Sequence, residues 1–127
     1  MTKTMTVLLA VAIGLSAGSG YAQSGFVGDP VFGEQEFLQC TTCHSAVEGE
    51  HKRGPSLFGV IGRDIASVEG FNYSTDLQAL GGTWNSGLLS AWLVKPRALA
   101  KNTKMDFSGI RSRQEIENIV AYLATLK

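Results

Sequence analysis

Cys40-Thr41-Thr42-Cys43-His44 is the stretch on which the reading of this 127-residue chain turns. It holds the chain's only two cysteines and one of its two histidines. A C-x-x-C-H run reads as the attachment site of a c-type haem. Thiols three positions apart lie on one face of a helical turn, where each can add across one vinyl group of the same porphyrin. The histidine that follows sits under the ring and offers an imidazole nitrogen to the iron.

Three other readings use the same residues. A thioredoxin-like dithiol depends on a lowered thiol pKa and comes with a βαβ pattern, which this sequence lacks. A structural zinc site needs four ligands, and Cys40, Cys43, His44 and His51 could supply them. His51, however, follows too closely for the usual two-knuckle spacing. A disulfide between Cys40 and Cys43 would close almost no loop and so stabilise little.

The N-terminus reads as a targeting segment. Lys3 supplies the positive charge, Val7 to Leu15 is a nine-residue apolar run, and Gly20-Tyr21-Ala22 is a cleavage-site pattern. The apolar run falls short of the ~20 residues that span a bilayer. Residues 1–22 are therefore expected to be a signal peptide, leaving no stable membrane anchor, and residues 23–127 one domain of 105 residues. Export to the periplasm also suits the cysteines. A disulfide scaffold would carry several spaced pairs, whereas these two stand together before a histidine.

Without Lys3, ten Lys and Arg face eleven Asp and Glu, a net charge of −1. That balance lacks the strongly basic surface nucleic-acid binding requires. Lys95, Arg97, Lys101 and Lys104 fall within ten residues of one another and form either a solvated surface or a docking patch. A domain this small has a thin core of its own; a large apolar cofactor at its centre makes up the deficit.

Asp29-Pro30 predicts a helix start, an N-cap acceptor followed by proline at the first helical position. The helix is expected to pass Gly33 and Phe37, which share a face, and to reach the cysteines. Glycine inside a helix costs about 1 kcal/mol against alanine, so Gly33 predicts close contact with another helix. Residues 45–58 read as loop, and 58–63 as a further turn-rich segment. Ser74 predicts a short helix to Leu80, stopped by Gly81-Gly82, and another runs from Ser86 to Val94 before Pro96. Ser112-Arg113-Gln114-Glu115 is a capping box. Behind it Ile116, Ile119, Val120, Leu123 and Leu126 form an apolar stripe at helical spacing. No period-two strand is visible. The expected fold class is all-α.

With Met1 and Met5 in the leader, Met105 is the only methionine left. It sits in a loop between a proline-ended helix and a capped one, away from the helix faces where filler methionines lie. Given a haem, His/Met ligation is the arrangement that raises the reduction potential. His51 is the competing ligand and would give a bis-His iron.

The ordered set of motifs resembles the class I cytochrome c family over nearly all of the mature chain. It comprises Gly33 and Phe37 before C-x-x-C-H, then Gly54-Pro55-x-Leu57-x-Gly59, Gly62-Arg63 and Gly70-Phe71-Asn72-Tyr73-Ser74. Trp84, Leu93-x-x-Pro96, Thr103-Lys104-Met105-x-Phe107-x-Gly109-Ile110 and Ala121-Tyr122-Leu123 complete it. The resemblance implies three to five helices with long loops around one haem c, covalent through Cys40 and Cys43, with iron between His44 and Met105. It implies that the Pro55 carbonyl steadies His44, and that Arg63, Tyr73 and Trp84 surround a buried propionate. Phe107 would cover the haem, and Gly33 and Phe37 would cross the C-terminal helix near Tyr122. Trp92 departs from the family pattern, standing where a tyrosine hydrogen-bonds toward the methionine sulfur; an indole can donate but not accept. The segment before Met105 is also less basic than the family's lysine-rich form.

The function expected is that of a monomeric periplasmic electron carrier and not an enzyme. Its partners would be membrane respiratory or photosynthetic complexes and periplasmic oxidoreductases, met transiently. Two alternatives remain, a haem subunit of a larger dehydrogenase and a five-coordinate haem with peroxidase-like activity.

Overall fold

The computed structural model describes residues 27–127; the expected signal peptide lies outside them. Helix α1 (Pro30–Glu36) begins as its chemistry requires: Asp29 is extended and its carboxylate accepts from Val31 N at 2.8 Å, with Pro30 at the first position. It does not continue to the cysteines. At Phe37 it tightens into a 3₁₀ turn, Phe37–Cys40, with Thr41 N bonded to Leu38 O at 3.2 Å. Residues three apart eclipse in this geometry, so Phe37 and Cys40 face the same interior cavity.

Helix α2 (Thr75–Leu80) is capped by Ser74, whose hydroxyl accepts from Leu77 N, and it ends at Gly81 with φ +63°. Helix α3 (Ser86–Val94) is capped by Asn85 and stops before Pro96. The proline then opens a single-turn helix, α4 (Pro96–Leu99), which the sequence reading does not include. Proline presets φ for a first helical residue but cannot signal how few residues follow. Helix α5 (Arg113–Leu123) completes the set. Only half of its capping box forms as expected: Ser112 Oγ accepts from Glu115 N, while the Glu115 carboxylate accepts from Gln39 Nε2 at 2.7 Å.

Helices α1 and α5 cross where Gly33 was expected to be needed. A Cβ on Gly33 would run into the Asn118 carbonyl, and the Phe37 and Tyr122 rings meet at 5.3 Å. Asn118 itself is buried on α5 beside the apolar stripe. Its side-chain oxygen accepts from Asp29 N at 2.8 Å and from Gln114 Nε2 at 2.9 Å, tying the start of α1 to α5.

Between α1 and α2 the chain wraps as loops. One isolated antiparallel bridge, Asp64 with Thr83, is the whole of the β structure among the described residues. Around that bridge Gly62 N donates to Trp84 O at 2.7 Å and Trp84 N to Arg63 O at 2.9 Å, which sets Arg63 and Trp84 side by side. Core residues Phe37, Val60, Trp84, Leu89, Trp92, Leu93, Ile119 and Leu123 are all buried, yet each also lines the cavity. The core is a shell with a space at its centre. Among the described residues no helix is long and apolar enough to cross a membrane.

Candidate haem site

That space is a cavity of about 310 Å³, and all nine residues singled out on the sequence line it: Cys40, Cys43, His44, Pro55, Arg63, Tyr73, Trp84, Met105 and Phe107. They come from three walls: the turn after α1, the loop from Gly54 to Tyr73 with Trp84 set beside it by the Asp64–Thr83 bridge, and the segment after α4.

The first wall is tightly knit. His44 N donates to Cys40 O at 2.8 Å and Gly54 N to Cys43 O at 2.8 Å. His44 Nδ1 lies 2.7 Å from the Pro55 carbonyl. A carbonyl only accepts, so Nδ1 carries the proton and Nε2 keeps its lone pair for a metal. Gly54 packs flat on the imidazole, where a Cβ would collide with the ring carbon Cε1. Burial lowers the His44 pKa, the Pro55 bond opposes that shift, and the nearby Arg63 charge adds to it. The ring is therefore a neutral imidazole, the form that ligates.

The thiols tell against two of the other readings. Burial, helped by Glu115 and Cys43, pushes the Cys40 thiol up to about 11. A redox dithiol depends on the opposite shift. Among the described residues no three His, Cys, Asp or Glu side chains converge to hold a metal ion, so the four candidate zinc ligands are not assembled. His51 is exposed and lies outside the cavity lining. Its Nδ1 accepts from Ser56 N at 3.0 Å, and its ring stands edge-on to Phe71.

The second wall carries a charge without a counter-charge. Arg63 is half-buried; Nη2 donates to Ser56 O at 2.9 Å and Nη1 reaches Phe58 O at 3.5 Å, both carbonyls. Burial lowers its pKa, opposed by Tyr73. Tyr73 Oη accepts from Val68 N at 3.2 Å, which leaves its own hydrogen to donate. A half-buried guanidinium and a phenol beside an apolar cavity form a seat for an anion. One feature of this wall has no signal in the sequence: Ala66, which also lines the cavity, sits at φ +57°, a conformation glycine adopts more readily.

The third wall carries Met105. Its sulfur accepts from Trp92 Nε1 at 3.3 Å, and its backbone N donates to Thr103 Oγ1 at 3.2 Å. Trp92 is buried, and its indole stands edge-on to Trp84 at 5.6 Å. The departure from tyrosine thus keeps a donor on the sulfur, and a thioether has a second lone pair to offer. An apolar slot, two thiols, an imidazole lone pair, a thioether and a half-buried cation together match an iron porphyrin with propionates.

A sequence profile of the family described as Cytochrome c matches residues 31–127. Cytochrome c-554 of Methylosinus trichosporium is 37% identical over 121 residues, spanning 94% of this chain and 89% of that protein. Cytochrome c2 of Rhodomicrobium vannielii is 36% identical over 124 residues, spanning 97% and 96%. Among solved structures, cytochrome cH from Methylobacterium extorquens matches with a TM-score of 0.72 at 35% identity, covering 77% of this chain and 99% of that one. This chain belongs to the cytochrome c family, in the class I all-helical fold. It carries covalent haem c and is an electron carrier, and Cys40 and Cys43 are the only thiols it has for the attachment.

Proposed function

We propose that the protein is a periplasmic one-electron shuttle whose iron is held between His44 and Met105. The observation that carries this reading is the pairing of two prepared donors on one cavity. His44 has its proton fixed on the Pro55 side, and Met105 has one sulfur lone pair taken by Trp92. When bound, the haem supplies the reversible ferric/ferrous couple.

The chain's own residues do the rest. Cys40 and Cys43 anchor the porphyrin edge. Pro55 and Gly54 hold the imidazole plane. Arg63, Tyr73 and Trp84 accept a propionate into the second wall, so that its negative charge offsets the guanidinium. Phe107 excludes water beside Met105. No substrate is transformed. The signal-like leader and the bacterial relatives support export to the periplasm.

Partners are membrane respiratory or photosynthetic complexes and periplasmic oxidoreductases, met by a monomer through interfaces below about 1,200 Å². Lys95, Arg97, Lys101 and Lys104 form the steering patch. It is a weak one, because Arg97 lies 4.0 Å from Asp106. Association is expected to slow as ionic strength rises; stopped-flow rates that stay flat from low to high salt would remove the patch from the reading.

The deciding experiment is a redox-titrated visible spectrum of the haem-loaded wild type and Met105→Ala. The wild type should show the methionine–iron charge-transfer band, and the variant should lose it and titrate at lower potential. Identical spectra would exclude Met105 and leave a five-coordinate or differently ligated haem.

A further inference from the structure

The segment from Ala100 to Phe107 is a strap with no regular structure, and its residues Thr103 to Phe107 line the cavity. Most of its hydrogen bonds are local. Ala100 N bonds Pro96 O, Thr103 N bonds Ala100 O, Met105 N bonds Thr103 Oγ1 and Phe107 N bonds Met105 O. Trp92 and Arg97, which also touch the strap, belong to the helices just before it. These contacts hold the strap to its own side and cannot close it against the opposite wall.

Two bonds reach across. Lys104 Nζ donates to Asn72 O at 3.1 Å, through a long and rotatable arm. Asp76 Oδ2 accepts from the backbone N of Asn102 at 2.7 Å. The second differs in kind. A carboxylate on a single methylene, seated in the first turn of a capped helix, grips the main chain of the strap itself. Charge-assisted bonds of this length are the stronger class. Asn102 lies three residues before Met105, so this one bond limits how far the sulfur-bearing loop can swing.

We propose that Asp76 is a positioning residue: its carboxylate latches the Asn102 amide and thereby closes the Met105 strap across the cavity. The latch rests on the reading of Met105 as an iron ligand. Its function is to keep the sixth coordination position from outside ligands while leaving the strap, otherwise held across only by the rotatable Lys104 arm, free to open when the latch lets go.

The test uses haem-loaded wild type, Asp76→Ala and Asp76→Asn, the last keeping an acceptor oxygen without the charge. Two measurements are made on each: hydrogen exchange of the Asn102 amide, and the dissociation constant for imidazole, a neutral competitor for the sixth position. In Asp76→Ala the amide should exchange at least about fivefold faster and imidazole should bind about fivefold tighter, with Asp76→Asn recovering most of both. Unchanged exchange would show that the bond does not protect the amide, and faster exchange with unchanged imidazole affinity would show that it does not close the strap. Either result overturns the latch. So does Asp76→Asn behaving as Asp76→Ala, which would show that an acceptor oxygen at this position does not hold the Asn102 amide. If instead the wild type lacks the methionine–iron band, it is the ligand reading that fails, and the two failures are told apart by spectrum alone.

Discussion

On the His44 side of the cavity, restraints crowd into a short stretch of chain. The ring nitrogen is bonded to Pro55, the backbone of Cys43 to Gly54, the His44 amide to Cys40, and Gly54 is pressed against the imidazole. On the Met105 side a structureless strap is held from beneath by one indole N–H and from across by a carboxylate and a lysine. The difference is one of preparation. The imidazole is fixed before any metal arrives, whereas the thioether is brought to its place by contacts that are few, separate and individually removable. Two ligands on one iron need not be held with equal stiffness, and here the stiffer one stands next to the covalent attachment.

Breaking the stiff side should have the largest effect. In Gly54→Ala the new methyl would overlap the His44 ring, and the ring, held by its bond to the Pro55 carbonyl, cannot yield cheaply. Overpacking of this kind costs about 3 kcal/mol or more. The expected outcome is a sharp fall in the yield of haem-loaded protein and a lower denaturation midpoint in what remains. Wild-type yield and midpoint would mean that the loop from Gly54 to Pro55 is less rigid than its bonds imply.

Legibility in the sequence follows the same division. The stiff side is built from residues at most about fifteen positions apart; C-x-x-C-H was legible from its own chemistry, and the Pro55 support from the family resemblance. The helix starts at Asp29, Ser74 and Ser112 and the stop before Pro96 were likewise local chemistry, and each lies where its residues indicated. Three features were not legible. The tightening of α1 into a 3₁₀ turn comes from packing Phe37 and Cys40 toward one cavity, which no residue in the helix encodes by propensity. Asn118 looks like a surface residue beside the apolar stripe, and it is buried only because Asp29, 89 positions away, brings its amide there. Ala66 at positive φ is the third, a backbone state imposed by the wall it completes.

Removing the ligand on the looser side should be less destructive. Met105→Ala takes away a half-buried side chain and leaves the strap's other bonds intact, so a stability loss of about 2 kcal/mol is expected. The chain should still take up haem, because attachment and the imidazole both belong to the other wall. Chemical denaturation of the haem-loaded variant measures this directly. A loss as large as that in Gly54→Ala would mean that the two sides are not separable, and that the strap is part of the scaffold on which His44 depends.

The finest test isolates one contact. Trp92→Phe keeps an aromatic ring against Trp84 but deletes the N–H that points at Met105 Sδ. That donor draws electron density from the sulfur and makes it a poorer donor to the iron; the more highly charged ferric state loses more by this than the ferrous state does. The indole therefore raises the potential, and its removal should lower it. A neutral hydrogen bond contributes about 1 kcal/mol net, and only the part that differs between the two oxidation states enters the potential. At about 59 mV per tenfold change for one electron, the shift should be roughly 20 to 40 mV downward. Trp92→Tyr, which restores a donor, should recover part of it. A potential that does not move in Trp92→Phe, with the methionine band retained, would show that the sulfur keeps its place without the indole. The hold on the loose side would then fall to the contacts from across the cavity, with Asp76 the principal one.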